Sequence, residues 1–154
     1  MQRPTFHEYL LGLAMVASKR ATCSKRQVGA VIADSAKQIL ALSYNGVPAG
    51  QPHCIDAPCK GLTMSAPASH QACRAIHAES NALVQAGRTA RGGTMAITTS
   101  PCLECAKLIA NSGITTLILG DLNRLWASED LGVSPQTVIA LAGINIVFIS
   151  PNSF

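Results

Sequence analysis

Long hydrophobic runs are missing from this 154-residue chain. The longest, residues 10–17, is interrupted by Gly12 and falls short of the ~18 to 20 apolar residues that a bilayer span needs. A membrane-spanning chain is not expected. The first thirteen residues carry Arg3, His7 and Glu8 and lack the cationic start, apolar run and small-residue cleavage site of a secretory signal. The reading is therefore cytoplasmic. Charge is scarce at 13%, too little for a disordered tail, and the excess of 12 Lys and Arg over 8 Asp and Glu is scattered. No dense basic stripe is present, so the charge suits a small phosphorylated substrate at least as well as a nucleic acid polymer, which is not the expected partner. Internal repeats and low-complexity segments are also absent.

What remains is apolar material, 48% of the residues, in a length that suits one core, and a single domain over residues 1–154 is expected. Six cysteines, Cys23, Cys54, Cys59, Cys73, Cys102 and Cys105, read in a reducing compartment as thiols or metal ligands rather than as a disulfide framework.

Residues 5–21 place Leu10, Leu11, Ala14, Met15 and Ala17 near helical spacing and end in Lys19 and Arg20, cations that favour a helix C-terminus. Residues 28–33 and 38–44 read as a β-hairpin, followed by the turn Asn45-Gly46. Residues 46–75 are rich in Pro, Gly and Ser and show no period; so long a structureless loop is uncommon in a compact domain, and something should pin it. Beyond it come a helix (77–85), a strand (94–99), a helix opened by Pro101 (102–111), a strand (116–119), a helix opened by Ser-Pro (134–142) and a last strand (145–149). Strands alternating with helices after the hairpin imply a largely parallel sheet with helices on both faces.

Two motifs carry chemistry: His77-Ala78-Glu79 opens one helix and Pro101-Cys102-Leu103-Glu104-Cys105 opens the next, with a strand between them. Cys102 and Cys105 are three residues apart, so on a helix they face the same way, and the positive end of the helix dipole favours their thiolates. With His77 they make three zinc ligands, which leaves one tetrahedral position for water, the pattern of a catalytic zinc. Zinc lowers the pKa of water to about 7. Glu79, two residues from His77, is placed to take the water proton and pass protons to a ring nitrogen and a leaving amine. A lone CxxC at a helix start also fits a thiol redox protein, but that reading leaves His77 and Glu79 idle. A structural zinc ribbon would want a second CxxC, which the sequence lacks. Taken together, HxE and PCxxC in this order form the zinc nucleobase deaminase signature.

On these residues the chain resembles the deoxycytidylate (dCMP) deaminases of bacterial and phage type, within the cytidine deaminase superfamily. The matching pieces are Cys23-Ser-Lys-Arg-Gln-Val-Gly-Ala-Val-Ile32, Tyr44-Asn-Gly-Val-Pro-Ala-Gly50, His77-Ala-Glu-Ser-Asn-Ala82 and Ser100-Pro-Cys-Leu-Glu-Cys-Ala-Lys-Leu-Ile109. The resemblance departs at Ser80, where relatives often carry a larger residue, and between residues 121 and 136. It implies a cytidine deaminase-like three-layer α/β/α sandwich with a five-stranded mixed sheet, and hydrolysis of dCMP to dUMP with release of ammonia, feeding thymidylate synthesis. Asn45 would bond the sugar hydroxyl. Val28, Gly29 and Ala30 would floor the pyrimidine, beside Ala78 and Pro101. Ser24, Lys25 and Arg26 are candidates for the phosphate, and Trp126 could stack on the base or pack in the core.

The same resemblance implies a structural zinc on Cys23, Cys54, His70 and Cys73, with Cys59 as the substitute for Cys54, as the staple of the long loop. It also implies a hexamer in which Tyr44, Gly46 and Gly50 take dCTP as activator and dTTP as inhibitor, because amides exposed in tight turns can cradle a triphosphate. A tRNA adenosine deaminase shares HAE and PCxxC and is the rival enzyme; Glu104, Lys107 and the segment 44–50 stand against it.

Overall fold

The computed structural model describes residues 2–65, 68–127 and 132–151. The first helix, α1 (Phe6–Ser18), is followed by β1 (Gly29–Ala33), β2 (Ile39–Tyr44) and the short α2 (Ala68–Gln71). Then come α3 (Ala78–Ala86), β3 (Thr94–Ile97), α4 (Leu103–Ser112), β4 (Thr116–Leu119), α5 (Pro135–Leu141) and β5 (Asn145–Phe148). Local chemistry explains the boundaries. Thr5 and Glu8 close a capping box on α1, Glu8 Oε2 accepting from the Thr5 amide at 2.6 Å. The Ser134 hydroxyl accepts from the Thr137 amide at 3.1 Å ahead of Pro135, and Gly113 ends α4 in the left-handed conformation, all as helix-end physics requires. Among the described residues no helix is long and apolar enough to cross a membrane.

The sheet is mixed, in the order β2-β1-β3-β4-β5. β1 pairs antiparallel with β2 and β3, and β3, β4 and β5 run parallel. The largely parallel sheet expected from the alternation is thus confined to three strands: β2 and β3 run the same way on either side of β1, with α3 as the crossover between them. Period-two alternation sorts the core into two layers. Val31, Ala33, Ala96 and Ile118 pack with Leu10, Leu11 and Ala14 of α1. On the opposite face Ala30, Ile32, Met95, Ile97, Leu117 and Leu119 pack with Ala78, Ala82, Ala106, Ile109 and Ile139 of α3, α4 and α5. Gly29 is set by this layering. A Cβ there would stand 1.8 Å from the Ala14 carbonyl oxygen, so α1 crosses the sheet where the side chain is missing.

The segment 46–75 is pinned at several points. Gly46 and Ile76 form an antiparallel bridge, the Lys25 ammonium donates to the Gly61 and Met64 carbonyls at 3.1 and 2.8 Å, and the Arg74 guanidinium donates to the Ala57 carbonyl.

Candidate active site

The site lies at the C-terminal ends of β2, β3 and β4, the edge where open α/β sheets bind ligands. His77 is the N-cap of α3 and Cys102 the N-cap of α4, and neither side chain caps its own helix. They turn toward each other instead. His77 Nδ1 is 3.6 Å from Cys102 Sγ and 3.4 Å from Cys105 Sγ. The three ligand atoms lie within 4.8 Å of one another, the one such group among the described residues. Zinc–sulfur and zinc–nitrogen bonds of about 2.3 and 2.0–2.1 Å in a tetrahedron put sulfur and nitrogen about 3.6 Å apart, so the two nitrogen–sulfur distances fit a zinc site. The hydrogen bond with Cys105, and then that with His77, draws the Cys102 thiol down to about 3. The bond to Cys102, burial and the Glu79 carboxylate push the Cys105 thiol up.

Glu79 is only 4% exposed, on the first turn of α3, and burial pushes its carboxyl up from the ordinary range. α3 is held over the sheet by two residues that sequence reading passed over. The Ser43 hydroxyl donates to the Ala78 carbonyl at 2.7 Å, and the Asn81 amide donates to the Tyr44 carbonyl at 3.0 Å. Ser80, the short residue at which the resemblance departs, puts its hydroxyl 3.8 Å from Cys105 Sγ.

A cavity of about 230 Å³ opens over these groups, lined by Val28, Asn45, Arg26, Lys25, His70, His77, Ala78, Glu79, Thr99, Ser100 and Arg124 among others. This is the scale of one small molecule. Asn45 is buried and clamps the start of β1, its carboxamide oxygen accepting from the Val28 amide at 2.8 Å and its nitrogen donating to the Arg26 carbonyl at 2.9 Å. Each of these atoms uses one of its two hydrogen-bonding positions, and Asn45 lines the cavity. Several expected contacts move. Gly29 faces α1 on the far side of the sheet, and Ala30, fully buried in the core, does not line the cavity. Ser24, Pro101 and Trp126 do not line it either; Pro101 is fully buried, and Trp126 is half exposed rather than packed in the core. Lys25 lines the cavity, yet its ammonium is engaged by two loop carbonyls. Within the segment 44–50, the Gly46 amide donates to the Ile76 carbonyl and the Asn45 amide to the Val28 carbonyl; Gly50 has a positive φ, and the Tyr44 carbonyl accepts from Asn81.

The loop cysteines gather, with one correction. Cys59 interacts with the thiols of Cys54 and Cys73, and Cys23 stands close enough to act on both Cys54 and Cys73. Burial pushes the Cys54 and Cys73 thiols up, whereas backbone amides of Gly61 and Arg74 hold Cys59 down against its burial. His70 is elsewhere: its exposed ring stands edge-on to that of His77, centroids 6.0 Å apart, and lines the cavity. Cys59, expected only as the substitute for Cys54, is thus in contact with both Cys54 and Cys73, while the largest interactions of those thiols do not include His70. The four thiols are less tightly drawn than the His77 group, since no three of their sulfurs lie within 4.8 Å of one another.

An imidazole and two thiols at two helix starts bracketing a parallel strand, with a buried glutamate beside them, define a zinc-dependent deaminase of nucleobases. The comparisons agree. Residues 4–121 match the cytidine and deoxycytidylate deaminase zinc-binding region, and the chain belongs to that family. It is 37% identical over 125 residues to the deoxycytidylate deaminase of Mycobacterium phage D29, covering 77% of this chain and 96% of that one. With the deoxycytidylate deaminase of Saccharomyces cerevisiae it shares 33% over 127 residues, 81% of this chain but 40% of the yeast protein. The crystal structure of the dCMP deaminase from the cyanophage S-TIM5 in complex with dCMP and dUMP has the same fold, with TM-score 0.74 at 23% identity, covering 97% of this chain and 100% of that one.

Proposed function

We propose that this enzyme hydrolyses dCMP to dUMP and ammonia, consuming one water and supplying dUMP for thymidylate synthesis. The observation that carries the reading is the His77, Cys102 and Cys105 group beside the buried Glu79 carboxyl, with His77 and Glu79 lining a cavity that also has arginines on its walls. The phage relative named for the same reaction, matched over nearly its whole length, supports it. His77 Nδ1 and the two thiolates would hold zinc, which when bound supplies a Lewis acid that makes water acidic near neutral pH. Glu79 takes one proton of the attacking water on a carboxylate oxygen and passes it to the pyrimidine ring nitrogen as the water oxygen bonds to the amine-bearing carbon. It then takes the second proton from that same oxygen and delivers it to the departing amine as the C–N bond breaks. Burial, which pushes the Glu79 carboxyl up from the ordinary range, favours its carrying the proton between the two transfers. Val28 and Ala78 offer apolar surface for the ring, and Asn45 has one donor and one acceptor left for a sugar hydroxyl.

The reading includes a second zinc on Cys23, Cys54, Cys59 and Cys73. Their convergence supports it, together with the need of the segment 46–75 for a fixed point; a structural zinc contributes folding free energy directly. The test is loss of cytosine absorbance with dCMP, deoxycytidine, CMP and dCTP as substrates, alongside metal analysis. Turnover of dCMP with two zinc per chain is expected. Failure to deaminate dCMP with zinc bound would overturn the reading.

A further inference from the structure

Arg124 stands on the wall of the cavity opposite the start of β1, and its position is built rather than incidental. Ser100, 1% exposed, follows β3; its hydroxyl and amide both donate to Asp121 Oδ1, at 3.0 and 3.2 Å. The same hydroxyl oxygen accepts from the Arg124 amide at 2.8 Å, while Asp121 Oδ1 also takes the Asn123 amide at 3.0 Å. The loop after β4 is thereby laced to the end of β3, one residue before Pro101 and two before Cys102. The carboxylate is spent on these bonds and does not pair with Arg124. Among the described residues the guanidinium has no hydrogen-bond or ion-pair partner, although the side chain lines the same cavity as Glu79. Lys25, the other long cation expected to serve a phosphate, is engaged by the Gly61 and Met64 carbonyls. Two arginines are left: Arg26 on the β1 side and Arg124 on the β4 side.

We propose that Arg124 is the residue that selects a 5′-monophosphate, its guanidinium fork taking the phosphate oxygens of the bound nucleotide from the β4 wall of the cavity. A planar guanidinium meets a phosphate with two parallel charge-assisted hydrogen bonds, which a point-charge ammonium does not reproduce. Backbone anchoring through Ser100 and Asp121 sets where that fork begins, so only the side-chain torsions remain to be ordered on binding. Phosphate is remote from the amine that leaves, so the contact is equal in ground state and transition state and falls on KM rather than on kcat. The inference rests on the reading of the chain as a nucleotide deaminase.

The experiment compares Arg124→Gln and Arg124→Lys with the unaltered zinc-loaded enzyme on dCMP and deoxycytidine, and measures dUMP and deoxyuridine binding by calorimetry. Loss of one charge-assisted phosphate contact is expected to raise KM for dCMP about 10- to 100-fold in Arg124→Gln. The dUMP dissociation constant should rise by the same factor, and kcat should stay within roughly threefold. Deoxycytidine turnover and deoxyuridine binding should not move, and Arg124→Lys should recover part of the loss. Equal losses on dCMP and deoxycytidine, or unchanged dCMP kinetics in both variants, would overturn the assignment while leaving the deaminase reading in place. An unaltered enzyme that treats deoxycytidine and dCMP alike would remove the nucleotide reading and this one with it.

Discussion

Gly29→Ala separates two roles that the sequence offers for one residue. As part of the pyrimidine floor, Gly29 would matter to KM; as the crossing point of α1, it matters to stability. The added Cβ would lie 1.8 Å from the Ala14 carbonyl oxygen and 2.8 Å from both the Ala14 carbonyl carbon and the Ser18 nitrogen. All three are backbone atoms of a capped helix, so no side chain can swing away. Relief to even 3.0 Å requires α1 to withdraw by more than about 1 Å, and a gap of that size forfeits roughly a quarter to a half of each affected contact. The contacts at stake are those of Leu10, Leu11 and Ala14, all fully buried against the sheet. Overpacking of this kind costs about 1 to 3 kcal/mol, and the rigid obstacle puts Gly29→Ala near the upper figure. For a chain of this length ~3 kcal/mol lowers the melting temperature by about 6 to 12 °C. Thermal melts of zinc-loaded protein followed by circular dichroism measure the drop. Steady-state kinetics below the transition should give KM for dCMP within roughly threefold of the unaltered enzyme. A melting temperature unchanged within about 2 °C, together with a raised KM, would refute the packing argument and return Gly29 to the substrate floor.

Two further outcomes follow from the site. Glu79→Gln keeps the shape of the buried side chain and cannot carry protons, so zinc content and melting should persist while turnover falls by ~10²-fold or more; a loss of less than tenfold would exclude the acid/base role. Cys59→Ser should lower both the melting temperature and the zinc content from two to one per chain, whereas His70→Ala should leave both unchanged, and the reverse pattern would restore His70 as the ligand.

How much of this was legible in the sequence depends on how local each signal was. Helix and strand identities were readable because Thr5, Pro101, Ser134 and Gly113 mark ends through bonds within one turn. His77, Glu79, Cys102 and Cys105 were readable because their roles follow from helix-start spacing alone, and the structure brings them together. What the sequence could not give was direction across the sheet. Val28, Gly29 and Ala30 read as one floor, but alternation sends Gly29 to α1 and leaves Val28 in the cavity. Likewise His70 and Cys59 both lie in the aperiodic segment, where no period says which way a side chain turns. Arg124 was missed because its position depends on Ser100 and Asp121, residues 24 and 21 positions apart from their partners in chain order. Only Ser100 beside the Pro-Cys motif hinted at such a link.

The two helix starts that make the site do without ordinary caps, and this has a measurable consequence. Thr5 and Ser134 accept amide hydrogen bonds at the starts of α1 and α5, whereas His77 and Cys102 occupy the same position on α3 and α4 and accept none. A missing cap costs a helix about 1 kcal/mol. The loss falls on the two helices that flank β3, and their positive ends favour the thiolate that the site needs. Metal binding thus makes good, through the side chains, what the helices lack as caps. Cys102→Ser exchanges one for the other: a serine hydroxyl can accept from the first-turn amides of α4 but is a poor zinc ligand. The zinc-loaded unaltered protein should therefore melt above the variant, while after exhaustive chelation the order should invert, with Cys102→Ser higher by about 2 to 4 °C for ~1 kcal/mol. Differential scanning calorimetry of both proteins, with and without metal, checks the crossing. A chelated variant that melts below the chelated unaltered protein would mean that Cys102 supports α4 by its packing and that no cap was given up for the metal.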